Sequence, residues 1–185
     1  MNRQSDPTFA GSMEVAFPFE AGVDIYSVHR ALVSRFGGRE ENAYLWSIQR
    51  GLLGDVCLVR TIDGFSAPTL VKGERWLFSL HARIGQKDRT TGRRSSYRRT
   101  ETARRLRWLE RRGAEHGFAV IVAAVDVVRE HVRKPKVGFW LDRSEFSGIV
   151  EIVDPELVVA AMAKGLGGGR AWGLGMLRLI GKREE

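Results

Sequence analysis

The sequence of 185 residues contains a single cysteine, Cys57, in the apolar run Val56 to Val59. One thiol can form neither an internal disulfide nor a cysteine-rich zinc site, and its apolar setting is typical of a small buried residue. Long apolar runs are also missing. The longest, Phe118 to Val125, is far shorter than the roughly 20 residues of a membrane-spanning helix. Residues 1–11 are polar and show no signal peptide. These absences predict a cytoplasmic protein with no membrane partner.

Metal-binding motifs are missing as well. The four histidines, His29, His81, His116 and His131, show no spacing such as His-x-x-x-His, and no cysteine cluster could join them. The sequence therefore predicts no metal site and no cofactor.

Basic residues are abundant and concentrated in one segment. The net charge is +8, yet residues 83–112 carry twelve lysines and arginines against three acidic residues, which leaves the rest of the chain near −1. A basic segment on a near-neutral body is typical of a binding site for a polyanion. The alternative is a solvated helix face, although such faces usually mix charges of both signs. The distribution favours nucleic acid as a partner.

Periodicity and turn residues predict an α+β fold of two ferredoxin-like halves. In the first half, a helix begins after the N-cap Asp24 and ends near Phe36, before Gly37-Gly38. The predicted strands of this half are residues 12–19, 43–49, 54–61 and 75–82. Their β-α-β-β-β order, with a short connection before the last strand, is the skeleton of a ferredoxin-like fold.

The second half is predicted to contain two helices, at residues 100–113 and from Asp154-Pro155 to Gly165. On the first of these helices, Ala103, Leu106 and Leu109 face inward, while Arg104, Arg107 and Arg111 share an outer face. The predicted strands are residues 118–128, 136–141, 146–153 and 174–180, with a basic loop at 129–134. The domain organisation is then a flexible extension at 1–11, an N-terminal domain at 12–88 and a C-terminal domain at 89–185.

Tyr26 and His29 are the first candidate functional pair. The apolar stripe of their helix consists of Ile25, Val28, Leu32 and Phe36. His29 falls at the edge of this stripe, and Tyr26 lies further toward solvent. Residues three apart on a helix are neighbours, and a histidine beside a phenol can exchange protons and orient a hydroxyl. A Tyr-x-x-His pair more commonly only packs a helix, so the spacing alone leaves both roles open.

A glycine-rich segment, Gly165 to Gly175, is the second candidate, with six glycines in eleven residues. Glycines let backbone amides approach a phosphate closely, and Arg170 could add positive charge. The segment is neither a Walker loop, since Gly-Lys-Ser/Thr is missing, nor a dinucleotide-binding fingerprint. From these residues alone, a flexible turn and a phosphate-binding loop are equally consistent.

Three sequence blocks, in this order, resemble the CasE family, the repeat endoribonucleases of type I-E CRISPR systems. Tyr26 to Leu32 is similar to the family's Tyr-x-x-His-Arg-x-Leu, and Trp108 to Gly113, followed by Gly117-Phe118, is similar to a second block. Gly165 to Leu179 is similar to the family's carboxy-terminal glycine-rich signature. The chain departs from the family at Ala82 to Gly85, where members have an Asn-Pro-Thr-like turn. It also has about a dozen residues before the first strand and an arginine-rich middle, which leaves a type IV or mobile-element variant open.

The resemblance implies two tandem ferredoxin-like, RRM-like domains and metal-independent cleavage of CRISPR precursor RNA at the 3′ base of the repeat hairpin. It implies Tyr26 and His29 as the catalytic pair, with Arg30 near the cut phosphate. The implied RNA-binding residues of the glycine-rich loop are Gly167, Gly168, Gly169 and Arg170. Those of the basic hairpin are Arg129, Arg133, Lys134 and Lys136. Helical spacing, rather than the resemblance, adds Arg104, Arg107 and Arg111.

The implied partners are the CRISPR repeat RNA hairpin and other subunits of a class 1 effector complex. Two other classes of function stay open: a catalytically silent RNA-binding module and a structural subunit of a ribonucleoprotein. The sequence lacks the Lys/Arg-Gly-Phe strand motif of common RNA-binding modules. An assay of hairpin cleavage separates the three classes.

Overall fold

The computed structural model describes residues 14–37, 44–61, 65–87, 94–96 and 101–183. The predicted extension at 1–11 and the residues on either side of the predicted boundary at 88 lie outside these ranges. The elements in chain order are β1 (Glu14–Phe19), α1 (Ile25–Phe36), β2 (Tyr44–Gln49), β3 (Asp55–Thr61), β4 (Arg75–Ala82), β5 (Gly85–Lys87), β6 (Arg94–Ser96), α2 (Thr102–Glu115), β7 (Phe118–Val132), β8 (Phe139–Ile152), α3 (Pro155–Lys164), a 3-10 turn (Arg170–Trp172) and β9 (Leu177–Lys182).

The first sheet has three antiparallel strands in the order β1-β3-β2. Strand β3 is central and pairs on both sides, so that Cys57 lies between Phe17 and Ile48 and is fully buried. Helix α1 packs Val28 and Leu32 into the same core as Cys57. The thiol is therefore the buried small residue that its apolar run predicts.

The second sheet has the strand order β7-β8-β4-β9, all antiparallel. The sequence predicts that β4 completes the first half, and this part of the prediction is wrong because β4 lies between β8 and β9. Its Phe78 and Leu80 belong to the core of the second sheet. The period-2 pattern correctly predicts a strand, but it does not indicate pairing partners that lie 62 to 106 residues further along the chain, from Ala82↔Ser144 to Trp76↔Lys182. The domain boundary at residue 88 stays a prediction.

Strands β7 and β8 form one long hairpin that pairs from Phe118↔Ile152 to Val132↔Phe139, with one irregularity between Val120 and Val122 where the register shifts. The predicted break between two strands at 142–145 is wrong, because the polar residues there are paired inside the protein. Arg143 and Ser144 are both buried, and Arg143 bonds Glu130 and Glu145. The hairpin loop therefore begins only after Val132, so that Arg129 lies within β7 and Lys136 in the loop.

Helix α2 lies against β7. Arg105, Leu109 and Gly113 are its buried residues, whereas Ala103, predicted to face inward, is exposed. Arg105 occupies the inner stripe because its guanidinium donates to the Ser144 hydroxyl on β8. Hydrophobicity alone predicts Ala103 at the inner face of the helix. The residue buried there is Arg105, which is stable in that place because it has a hydrogen-bonding partner.

Both predicted helix caps are present. The Asp24 carboxylate accepts from the Tyr26 amide, and the Asp154 carboxylate accepts from the amides of Glu156 and Leu157 at the start of α3. Gly37 and Gly165 follow the two helices with φ of +80° and +76°, a conformation that favours glycine. No helix in the described part of the chain is long and apolar enough to cross a membrane.

A buried ionic contact joins the two sheets. The Glu14 carboxylate on β1 accepts hydrogen bonds from Arg60 on β3 and from Arg178 on β9. Arg60 also donates to the backbone oxygens of Met162 and Leu177, at 2.8 and 2.9 Å. Because a buried charge is stabilised only when it is paired, these contacts hold the sheets in one arrangement.

Candidate active site

Tyr26 and His29 lie in the first two turns of α1, with ring centroids 6.4 Å apart. Both side chains are half-buried, beside the buried Ile25 and Val28. His29 lies at the border of the apolar stripe, as the periodicity predicts, whereas Tyr26 packs against the core instead of lying further toward solvent. A half-buried histidine can contact a substrate and still be held in one orientation by its surroundings.

Trp172, in the 3-10 turn of the glycine-rich segment, packs against His29. Its indole centroid lies 5.3 Å from the His29 ring and 5.2 Å from the ring of Phe139, where β8 begins. The Lys134 ammonium lies 4.8 Å from the Trp172 centroid. We name His29, Lys134, Phe139 and Trp172 the aromatic cluster. It joins three of the predicted segments, namely the first helix, the basic hairpin and the glycine-rich loop.

The hairpin is also tied to α1 through the N-cap. The second oxygen of the Asp24 carboxylate accepts a hydrogen bond from the backbone N–H of Arg133 at 3.2 Å, while the first caps Tyr26 at 2.8 Å. One carboxylate thus fixes the start of the helix and the start of the hairpin loop together. This places the basic loop beside the end of α1 that carries Tyr26.

Asp55 and Arg50 hold the approach to α1. The Asp55 carboxylate accepts from the amides of Gly22 and Val23 at 2.8 and 3.1 Å. Arg50 bonds Asp55, the backbone oxygen of Val23 and, across to β7, Glu130. Burial by itself would raise the pKa of the Asp55 carboxyl, but hydrogen bonding and charge from Arg50 outweigh it and the pKa lies below its ordinary value. The carboxylate is therefore ionised at neutral pH.

The glycine-rich loop is built into the protein body. Gly173 and Gly175 have φ of +72° and +93°, and a Cβ atom there would lie 2.8 Å from the Trp46 ring and 2.7 Å from the Leu166 oxygen. The Gly175 N–H donates to the His81 oxygen at 2.7 Å. These glycines have the turn role that the sequence leaves open.

Gly167, Gly168, Gly169 and Arg170 are the predicted RNA-binding part of the loop. Gly167 and Arg170 are exposed. Gly168 forms a bridge with Arg83, and a Cβ on Gly169 would lie 2.9 Å from Leu174. Gly167 thus offers an open backbone approach, whereas Gly169 serves packing.

The basic residues of the hairpin lie in two different places. Arg133, Lys134 and Lys136 are exposed in the loop that follows β7. Arg129 lies within β7, where it is 3.7 Å from the Asp142 carboxylate and its guanidinium lies 5.0 Å from the centre of the Trp140 ring. The loop residues lie beyond the paired part of the sheet, and the Arg133 N–H bonds the N-cap of α1.

The outer face of α2 carries Arg104, Arg107 and Arg111, all exposed as predicted. Arg104 pairs with Glu101 at 3.0 Å and Arg111 with Glu115 at 3.8 Å. Trp108 of this helix lies under the glycine-rich loop, 3.4 Å from the position of a Cβ on Gly167. Four other arginines of the predicted basic segment, Arg89, Arg93, Arg98 and Arg99, lie outside the described residues, as do the side chains of Lys87 and Arg94. Arg30 is exposed on α1, next to His29.

Comparison with known proteins identifies the family of this chain. Residues 55–180 match the family model described as "CRISPR associated protein". The CRISPR-associated endoribonuclease Cse3 of Thermus thermophilus is 30% identical over 187 aligned positions, which cover 82% of this chain and 88% of that protein. The chain belongs to the CasE family. The resemblance noted in the three sequence blocks is thereby confirmed.

Solved structures confirm the fold of this CasE member. A Cse3 endoribonuclease bound to a 19-nucleotide RNA superposes with a TM-score of 0.75 at 26% identity, over 90% of this chain and 99% of the other. T. thermophilus Cse3 bound to an RNA representing a pre-cleavage complex gives 0.71 at 29% identity, over 84% and 88%. Escherichia coli K-12 Cas6e gives 0.69 at 15% identity, over 90% and 98%. The fold class, α+β with two tandem ferredoxin-like domains, is as predicted.

Among the described residues of this CasE chain, no group of three or more histidine, cysteine, aspartate or glutamate side chains is placed to hold a metal ion. The residues that converge at the aromatic cluster are instead a histidine, a lysine and aromatic rings, with Tyr26 beside them. Such groups transfer protons, stack on bases and attract phosphate.

Sequence reasoning misses Trp172 and Phe139. Trp172 lies inside the glycine-rich signature, where the glycines and Arg170 are the prominent residues. A large aromatic residue within a glycine-rich turn has few places to pack, and this is the signal that could have found it. Phe139 gives no such signal, because an aromatic residue at the start of a strand is common in protein cores.

Proposed function

We propose that this protein is a metal-independent endoribonuclease that cleaves CRISPR precursor RNA at the 3′ base of the repeat hairpin. The observation that carries the proposal is the convergence of Tyr26 and His29 on α1 with Trp172 of the glycine-rich loop and with the basic hairpin. Membership of a family whose relatives are named endoribonucleases supports it.

In this proposal the ribose 2′-oxygen attacks the adjacent phosphorus and the bond from phosphorus to O5′ breaks. The products carry a 2′,3′-cyclic phosphate and a 5′-hydroxyl. His29 transfers a proton, either from the attacking 2′-hydroxyl or to the departing O5′, and Tyr26 orients the 2′-hydroxyl. General acid–base catalysis contributes roughly 10²–10⁴-fold, so in-line alignment of the nucleotide supplies much of the remaining acceleration.

The RNA stem would lie across positive charge. Arg133, Lys134 and Lys136 are exposed in the loop whose Arg133 N–H bonds the N-cap of α1, and Arg30 is exposed beside His29. The exposed Gly167 and Arg170 fit a phosphate approach next to Trp172. A-form RNA hides its base edges in a deep groove, so these cations read the shape and phosphate spacing of the stem more than its sequence.

Other partners follow from the same proposal. Structures with this fold include a CRISPR RNA-guided surveillance complex, which matches with a TM-score of 0.69 at 18% identity. We therefore expect the chain to work beside other protein subunits of a class 1 effector complex. Its substrate is a newly made transcript, which places the proposed activity in the cytoplasm.

The decisive experiment is cleavage of the repeat hairpin encoded nearest to the gene, in excess EDTA. We expect wild-type protein to cut once, and His29→Ala to lose cleavage while its affinity for the hairpin stays close to wild type. His116→Ala, at the end of α2, is the matched control and should cut normally. A hairpin with a 2′-deoxy nucleotide at the cut should bind and remain intact.

Three results would contradict parts of this proposal. Binding without cleavage by the wild type would favour a silent RNA-binding subunit. A strict Mg²⁺ requirement would exclude the metal-independent mechanism. Normal cleavage by His29→Ala would remove the histidine from the chemistry. If RNA with sulfur in place of O5′ rescues His29→Ala, His29 is the acid, because a thiolate leaves without a proton.

A further inference from the structure

The turn between β2 and β3, Gly51-Leu52-Leu53-Gly54, exposes two adjacent leucines. Leu52 and Leu53 are as open as in an extended peptide, at 99% and 103% exposure. The other exposed large apolar side chains of the described residues range from 37% to 71%. Singly exposed apolar residues are ordinary on protein surfaces, but a fully open pair is not. Turns also favour Gly, Asn, Asp and Ser over leucine.

The turn is held firmly at its base. Arg50 and Asp55, on either side of it, bond each other, and the Gly51 N–H donates to the Asp55 carboxylate at 3.3 Å. A Cβ on Gly51 would lie 2.6 Å from the Gly54 oxygen, so the two ends of the turn touch. The leucines are therefore displayed on a rigid support, which lowers the entropic cost when a partner binds them.

The chemistry of the turn excludes nucleic acid as the occupant. Leu52 and Leu53 carry no charge or hydrogen-bonding side-chain group, and Arg50 at the base of the turn is already bonded to Asp55 and Glu130. Phosphate binding requires free donors. An apolar pocket on a protein is the complementary surface.

The size of the turn excludes an independent dimer interface. Two leucine side chains cover far less than the roughly 800 Å² per partner that a stable interface buries. Burying one leucine nevertheless strengthens association by roughly 10- to 100-fold. Such an anchor is sufficient when a shared RNA already holds both partners together and raises their effective concentration.

We propose that Leu52 and Leu53 anchor this protein to an apolar pocket on a neighbouring protein subunit bound to the same CRISPR RNA. The proposal rests on the function proposed above. The position of the turn supports the proposal, because Arg50 at its base bonds Glu130, which lies three residues before the basic hairpin loop. A subunit next to the basic hairpin would therefore lie within reach of the turn.

The test uses thiol labelling of the full chain. Burial raises the pKa of the Cys57 thiol to about 12, so Leu53→Cys supplies the one reactive cysteine. A maleimide should label Leu53→Cys fast in the free protein at any concentration, and equally fast with the repeat hairpin bound. In the complex co-expressed with the neighbouring effector subunits and a repeat transcript, labelling should fall at least tenfold. Val71→Cys, 55% exposed before β4, should label fast throughout.

A second measurement follows incorporation into that complex. Leu52→Ser/Leu53→Ser should reduce incorporation at least tenfold while hairpin cleavage stays at the wild-type rate. Val71→Ser/Val153→Ser, which removes two exposed valines beyond the far end of β8, should assemble normally. Loss of cleavage by the wild type would instead count against the proposed function.

Several outcomes overturn the anchor itself. Slow labelling of the free protein means that a second copy or another part of this chain covers the turn, and concentration dependence of that rate separates the two. If the RNA hairpin alone protects Leu53→Cys from labelling, RNA is the occupant of the turn. Normal incorporation of the double serine variant shows that the turn is not used.

Discussion

The indole of Trp172 lies against the imidazole of His29, with 5.3 Å between ring centroids. The two residues are 143 positions apart in the sequence, and each comes from a different CasE sequence block. Through this contact, a residue of the glycine-rich loop touches a side chain of α1, which belongs to the other half of the sequence. The loop presents an aromatic face that limits where the histidine ring can lie.

We expect Trp172→Ala to lower the single-turnover rate of hairpin cleavage by roughly 10- to 100-fold, because a small displacement of a catalytic group can cost about 10²-fold. The affinity for the hairpin should change much less. Trp172→Phe preserves a ring face against His29 and should recover most of the rate. Thermal melts of both variants check that the fold is intact. Wild-type cleavage by the alanine variant would show that the contact is only packing.

The glycines of the chain differ in what they support, and alanine substitution can separate their roles. At Gly181 a Cβ meets nothing within 4 Å and φ is not positive, so Gly181→Ala should be neutral. Gly73 has open space but φ of +89°, and Gly73→Ala should cost about 1 kcal/mol. Gly173 adds a 2.8 Å clash with the buried Trp46, so Gly173→Ala should destabilise most, by roughly 2–4 kcal/mol. Urea unfolding measures all three, and equal effects at positions 73 and 173 would contradict the packing role.

Local features of the fold can be predicted from the sequence because they depend on neighbouring residues. Asp24 and Asp154 cap the helices that follow them, and Gly37 and Gly165 follow those helices, as the pattern indicates. Non-local pairing cannot be predicted in this way. The partners of β4 are strands that begin more than 55 residues further along the chain.

Buried polar residues cause the other errors. The sequence pattern assigns Arg105 to a basic segment and predicts a break between strands at the polar residues 142–145. In three dimensions Arg105 bonds Ser144, and Arg143 bonds Glu130 and Glu145. Each residue looks polar and exposed until its partner is known, because a buried polar group is stable only when hydrogen-bonded. Tyr26 and His29 are found through their spacing and the family motif, whereas Trp172 and Phe139 require the structure.

The arginine face of α2 provides a test of RNA binding by shape. Arg104 and Arg111 are exposed, and their pairs with Glu101 and Glu115 on the protein surface are worth little and can be exchanged for phosphate. Neutralising Arg104, Arg107 and Arg111 to glutamine should weaken hairpin binding and flatten the plot of log K against log salt. The slope should fall by roughly 0.7–0.9 for each phosphate that the variant no longer neutralises, to a similar extent for stems of different sequence.

The matched control for this triple removes the same charge elsewhere. Lys72, Arg75 and Arg183 are exposed around the start of β4 and the end of β9, and their replacement by glutamine should leave the salt slope nearly unchanged. Cleavage at saturating RNA should survive in both triples. If both triples change the slope equally, net charge rather than the α2 face governs binding.

His81 should make the protein sensitive to mild acid. Its Nδ1 lies 3.1 Å from the Ser47 hydroxyl, and burial, followed by the charges of Arg143 and Arg178, lowers the pKa of the ring to about 3. In the unfolded chain the pKa is about 6.5, so the unfolded state binds a proton first as the pH falls. The stability contributed by the neutral ring is therefore fully present above about pH 6.5 and is lost progressively toward pH 3.

We expect the free energy of unfolding from urea titrations to decline between pH 6.5 and 4.5. The Asp55 carboxyl adds little in this range, because its lowered pKa places its effect below about pH 4. His81→Gln keeps a hydrogen-bonding group near Ser47 without a titratable ring, so its stability should vary less with pH, whereas His116→Gln should keep the wild-type slope. An unchanged slope in His81→Gln would mean that His81 is not the group that binds protons only on unfolding.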